Sequence, residues 1–95
     1  MEKGFEWDEN TAQENFRKHK VSFDEASTVF EDFFSITIPD PDHSIGEDRY
    51  VDIGRSSQGR LLIVVYTERG ENIRIISSRK AKPNERRKYY EEGKF

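Results

Sequence analysis

The sequence predicts an α+β domain: two N-terminal helices, a four-stranded antiparallel meander sheet and a C-terminal helix. Three observations indicate this order: a helix-capping pattern near the N-terminus, four short apolar or β-branched runs separated by turn residues, and a charged final segment that begins with Pro. Because strands joined by short turns usually pair with each other, we expect an antiparallel sheet with helices on one face, and the other face can stay open.

The two N-terminal helices are predicted from their capping residues. Asp8 or Asn10 can cap a helix that runs to about His19. Ser22 opens a second helix over residues 23–32, because Ser followed three residues later by Glu is a capping box. Apolar residues recur at helical spacing in this segment, so one of its faces is expected to lie in the core.

The strands are predicted from changes of period and composition. They cover residues 34–38, 49–54, 61–67 and 73–78. The third run is apolar on both faces and is placed in the middle of the sheet, and residues 68–71 form a hairpin connection. Pro83 suits the first turn of the final helix, and Gly93 ends it.

Length and composition exclude several classes of protein. The 95 residues fit a single domain over residues 1–95, and the absence of cysteine favours a reducing compartment. No apolar run is long enough to span a membrane and none opens the chain, so neither a membrane span nor a secretory signal is expected. The two histidines lack metal-ligand spacing, and we expect no metal and no cofactor.

Charge is divided unevenly along the chain. Residues 1–48 hold 4 basic and 13 acidic side chains, a net charge of −9, whereas residues 49–95 hold 12 basic and 6 acidic, a net charge of +6. The basic half favours an anionic partner, unless folding interleaves the two halves. By strand alternation Arg49, Tyr66 and Arg74 can share one face, where arginines would bind phosphate and the ring would stack on a base. The alternative is that the arginines pair with nearby carboxylates.

The chain also resembles a known family. Four segments carry the resemblance over residues 5–91: FEWDENTAQENFRKHKVSFDEASTVF, GEDRYVDIG, GRLLIVVYTERG and IRIISSRKAKPNERRKYYE. They are similar to BrnT-type toxins, a family related in fold to RelE-type ribonuclease toxins. The chain departs from the family pattern at Lys20, where Gly is usual, at Phe33 and Phe34, where Pro-Leu is usual, and at Ser78, where Ala is usual.

The resemblance implies a cytoplasmic ribonuclease that is inhibited by a BrnA-like ribbon-helix-helix antitoxin, in a complex that binds operator DNA through the antitoxin. The hypothesis for the chemistry is attack of the RNA 2′-hydroxyl on the adjacent phosphate without a metal. Arg69 and Arg79 are expected to stabilise the phosphate charge. Glu47 or His19 is the candidate general base.

Further residues are expected to contact the substrate. They are Arg49, Arg74, Tyr66, Lys18 and Lys80. The alternatives that stay open are a non-catalytic module that docks nucleic acid or an acidic protein segment, a former toxin retained as a regulator, and a structural subunit.

Overall fold

The computed structural model describes residues 4–40 and 48–93, and it confirms the α+β class. The elements in chain order are β1 (Gly4–Glu6), α1 (Glu9–His19), α2 (Phe23–Ser27) with a 3₁₀ turn (Thr28–Glu31), β2 (Ile36–Pro39), β3 (Arg49–Arg55), β4 (Leu61–Arg69), β5 (Asn72–Lys80) and α3 (Pro83–Gly93). No helix in these ranges is long and apolar enough to cross a membrane.

The sheet has five strands in the order β1-β5-β4-β3-β2, and β1 runs parallel to β5. The predicted four-stranded, wholly antiparallel sheet is therefore wrong at this edge. A three-residue strand has too little alternation to be visible in the sequence, and its partner lies at the other end of the chain. Beyond β1, the edge of β5 is covered by the amide of Asn15, which accepts a hydrogen bond from Ser78 N (3.0 Å) and donates one to Ser78 O (2.9 Å).

The first two helices begin where the sequence predicts. The Asp8 carboxylate accepts a hydrogen bond from Thr11 N (2.9 Å), and the Ser22 hydroxyl accepts one from Glu25 N (3.0 Å). The second helix is shorter than predicted, because after Ser27 the chain tightens into the 3₁₀ turn that packs against β3.

Helices pack on both faces of the sheet, so the second face, which the sequence allowed to stay open, is partly covered. On one face, α1 and α2 bury a cluster that includes Phe23, Leu62 and Val64. On the other, α3 inserts Tyr89 (2% exposed) against Ile53 and Ile63. Because α3 covers only part of that second face, a cleft remains beside it.

Candidate active site

A cleft of about 490 Å³ lies on the α3 side of the sheet. This volume is within the range of small-molecule sites, so it can admit part of a nucleotide. Its floor is aliphatic, and its walls come from the end of β2, β5, the end of α1 and the start of α3. The lining residues are His19, Asp40, Val51, Ile63, Val65, Ser77, Ser78, Arg79 and Glu85.

Arg79 is the cation of the cleft, and its guanidinium is held in place from one side. It donates hydrogen bonds from Nη1 and Nη2 to the two carboxylate oxygens of Glu85, both at 2.8 Å, and a third from Nη1 to Lys80 O at 3.2 Å. An arginine has five N–H donors. Within the described residues, Nε and the second Nη2 hydrogen make no hydrogen bond, so this edge of the guanidinium can bind an oxyanion.

Glu85 positions Arg79 from the first turn of α3. Its carboxylate also accepts a hydrogen bond from Lys82 N at 2.8 Å, which ties the same group to the start of the helix. The hydrogen bonds from Arg79 lower the pKa of the Glu85 carboxyl and raise the pKa of the Arg79 guanidinium. Both groups are therefore charged near neutral pH, and the pair holds Arg79 in one orientation.

His19 reaches the same cleft from the last turn of α1. The Asn15–Ser78 hydrogen bonds hold α1 along the edge of β5, and this places His19 on the wall that Arg79 also lines. Two of the predicted catalytic residues, distant in sequence, are thus brought together. An imidazole and a guanidinium that line one cleft are groups able to provide proton transfer and charge stabilisation for phosphoryl chemistry.

A β-bulge places Arg74 on the same face of the sheet as Arg79. The register between β4 and β5 shifts at Val65 and Tyr66, so Ile76 is an extra residue in β5. Without it, two residues five apart would point to opposite faces. Arg49 and Arg74 both lie opposite Thr67 in the ladder, one on each neighbouring strand, and therefore share this face.

Comparison with known proteins identifies the family. Residues 7–85 match the family model described as the ribonuclease toxin BrnT of a type II toxin–antitoxin system. The chain belongs to the BrnT family. The fold is similar to the 1.1 Å crystal structure of the Brucella abortus ribonuclease toxin BrnT, with a TM-score of 0.65, 22% identity, and coverage of 86% of this chain and 99% of that chain. No curated protein gives a significant match.

The expectation that Tyr66 shares a face of the sheet with Arg49 and Arg74 of this BrnT-family chain is wrong. It lies opposite Tyr50 and Ile75 on the α1–α2 face, with 7% of its surface exposed. Its hydroxyl donates a hydrogen bond to Asp52 Oδ1 at 3.0 Å, and burial together with this carboxylate raises the pKa of Tyr66. The ring packs edge-on against Phe30 in the core and offers no stacking surface for a base.

The other predicted site residues of this BrnT-family chain are dispersed. Arg69 ends β4 six residues beyond Ile63, the ladder partner of Arg79, which corresponds to about 20 Å along the strand. Arg69 and Arg79 are therefore not brought to one phosphate. Lys18 is exposed on α1, and Lys80 is exposed next to Arg79 in β5. Glu47 lies outside the described residues.

Three cleft residues are not predicted from the sequence: Asp40, Ser77 and Glu85. Asp40 follows β2 outside any predicted element, and Ser77 depends on the bulge for its face. Glu85 lies in the first turn of α3, where its negative charge also favours the start of the helix. Within the described residues, no cluster of three metal-ligating side chains occurs.

Proposed function

We propose that this BrnT-family toxin cleaves RNA in the cleft that His19 and Arg79 line, by attack of a ribose 2′-hydroxyl and without a metal. The observation that carries the proposal is the edge of the Arg79 guanidinium left available by its pairing with Glu85, in a cleft that the His19 imidazole also lines. Together they supply an oxyanion clamp and a proton carrier at one place.

The reaction needs three events at the scissile phosphate. The 2′-oxygen loses its proton and forms a new P–O bond, the bond to the 5′-oxygen breaks, and that oxygen takes up a proton. The products are a 2′,3′-cyclic phosphate and a 5′-hydroxyl. Arg79 Nε and Nη2 bind the two non-bridging oxygens as negative charge accumulates. His19 removes or returns a proton, because imidazole exchanges protons readily near neutral pH.

Arg49 and Arg74 are proposed to bind a phosphate of the same strand at a distance from the reacting one. Thr67, their common neighbour, lies four residues along β4 from Ile63, which is about 13 Å. Such contacts position RNA in the cleft without reading its sequence.

The remaining predicted residues receive peripheral roles. Three cations are proposed to attract the RNA backbone from outside the cleft: Arg69, Lys18 and Lys80. Arg69 is not assigned to the reacting phosphate, because it lies too far from Arg79 along β4. Glu47 stays a candidate base. We further propose a cytoplasmic location and neutralisation by a ribbon-helix-helix antitoxin, whose complex with the toxin binds operator DNA.

The decisive experiment replaces Arg79. We expect Arg79→Ala to lower kcat for a single-stranded RNA by about 10²–10³-fold, the usual effect of losing one oxyanion donor. Arg79→Lys should recover little of the wild-type kcat, since an ammonium lacks the planar fork of donors. Arg87→Ala, an exposed arginine of α3 outside the cleft, is the matched control.

The measurements are RNA cleavage in excess EDTA, growth arrest on expression, and circular dichroism to establish folding. Full activity of folded Arg79→Ala would refute the proposed role of this residue. Wild-type protein that shifts RNA in a gel without shortening it would instead identify a non-catalytic binding module.

A further inference from the structure

A second concavity, of about 320 Å³, lies on the α1–α2 side of the molecule, away from the cleft. One wall is a single face of α1, because its contributing residues recur at i, i+3, i+4 and i+7. The other wall is the start of α2. The lining residues are Trp7, Glu9, Ala12, Gln13, Phe16, Ser22, Phe23 and Asp24, and we refer to them as the α1–α2 groove.

The floor of the α1–α2 groove is aromatic and partly open to solvent. Phe23 is 1% exposed and packs edge-to-face against Trp7, with ring centroids 5.8 Å apart. Phe16, by contrast, is 51% exposed, although it shares a helical face with Ala12. An aromatic side chain left half in water on an otherwise apolar floor is typical of a surface that a partner covers.

The rim of the α1–α2 groove is acidic. Glu9 lies in the first turn of α1 and Asp24 in the first turn of α2, and both are exposed. Among the residues that the structure describes, no Lys or Arg lines the groove. Lys20, whose ammonium is 6.0 Å from the Phe16 ring centroid, stands at the opposite end of α1 from Glu9. RNA would be repelled here, and a second copy would bring the same carboxylates. The charge fits a basic protein segment.

We propose that the α1–α2 groove binds a basic amphipathic helix of the antitoxin. This inference rests on the proposed function, in which an antitoxin neutralises the toxin. A helix is favoured because α1 offers a straight wall of 11 residues, about 16 Å long, which matches three turns of a partner helix. Its apolar face covers Phe16, and its Lys or Arg residues pair with Glu9 and Asp24.

The test measures binding of the ribbon-helix-helix protein encoded next to the toxin gene, by titration calorimetry at several salt concentrations. We expect Phe16→Ala to raise the Kd about 30-fold, as truncation of an interface anchor does. The double variant Glu9→Lys with Asp24→Lys should raise it about tenfold and weaken its salt dependence. Phe33→Ala removes another exposed ring, 93% accessible, from outside the groove and should leave the Kd unchanged.

RNA cleavage by each free variant separates this inference from the proposed function. The groove and the cleft share none of the described lining residues, so cleavage should be unchanged in all three variants. The proposed docking site would be overturned if the folded groove variants bind the antitoxin as tightly as wild type. It would also be overturned if only the double variant Glu9→Lys with Asp24→Lys keeps the wild-type Kd. Wild-type protein that binds antitoxin but leaves RNA intact would overturn only the proposed function.

Discussion

Lys20 ends α1 in a backbone conformation that favours glycine. Its φ is 59° and its ψ is 31°, and within the described residues no other non-glycine residue has a positive φ. Its N–H still donates to Phe16 O at 2.9 Å, and its carbonyl accepts from Arg60 Nη2 at 3.1 Å. The turn between the first two helices therefore has a left-handed backbone conformation that suits glycine. The side chain of Lys20 makes this conformation less favourable.

Replacing Lys20 with Gly should stabilise the protein. A left-handed conformation costs an ordinary residue about 1–2 kcal/mol, and glycine loses part of that gain through its more flexible unfolded state. We expect a net gain of about 0.5–1 kcal/mol in the free energy of unfolding, measured by urea denaturation. Lys20→Ala removes the ammonium but keeps the strain, and it should show no such gain. Equal stabilisation by both variants would mean that the charge, not the backbone, was unfavourable.

Among the secondary-structure elements, α2 is fastened to the start of β4 by a buried ionic contact. The Glu25 carboxylate, 5% exposed, accepts hydrogen bonds from Ser56 Oγ at 2.7 Å and from Arg60 Nε at 2.9 Å, and it pairs with Arg60 Nη2. The hydrogen bonds from Arg60 lower the pKa of this carboxyl despite its burial. The ion pair thus fixes the turn between β3 and β4 under the helices.

The stability that Glu25 contributes should depend on pH in a definite direction. Because its pKa is lower in the folded protein, the contribution is complete above the ordinary value of about 4.5 and is lost as pH falls through the folded pKa. We expect Glu25→Gln to cost about 2 kcal/mol at pH 7 and progressively less below pH 4.5, by denaturant titration. Glu14→Gln, which breaks an exposed pair with Arg17, should be indistinguishable from wild type. A deficit in Glu25→Gln that persists unchanged at low pH would contradict this account.

The bulge in β5 is the element-scale feature on which the cleft depends. Ile76 changes the phase of the strand, so that Arg74, Ser77 and Arg79 all face the α3 side. Strict alternation along the strand, as expected from the sequence, cannot place Arg74 and Arg79 together. Tyr66 was expected on the face of Arg49 for a related reason, because a register between strands cannot be read from one strand at a time.

On the scale of the whole molecule, we propose that the two faces of the sheet bind different partners. The α3 face holds the cleft with Arg79 and, away from the cleft lining, Arg49 and Arg74, whereas the α1–α2 face holds the groove with its acidic rim. An anionic substrate and a basic protein can therefore bind on different sides.

The salt dependence of RNA binding should directly report how many arginines on the α3 face contact phosphates. For a single-stranded nucleic acid, removing one cation that binds a phosphate lowers the slope of log affinity against log salt by about 0.7. We expect Arg74→Gln to reduce the slope by this amount, with weaker RNA binding at low salt, measured by fluorescence anisotropy with a non-cleavable 2′-deoxy analogue. Arg87→Gln, away from the cleft, should keep the wild-type slope. An unchanged slope in Arg74→Gln would remove this arginine from the RNA site.

The sequence by itself determined the helix start at Ser22, limited the other to Asp8 or Asn10, and determined the four main strands and the α+β class, because caps, periodicity and turn residues act over a few positions. It also identified Arg79 and His19 as residue types suited to the chemistry. Only the tertiary structure decided that both line one cleft, since this depends on how Asn15 holds α1 against Ser78 and on the bulge at Ile76. Contacts between distant segments follow from packing and register, which local patterns do not encode.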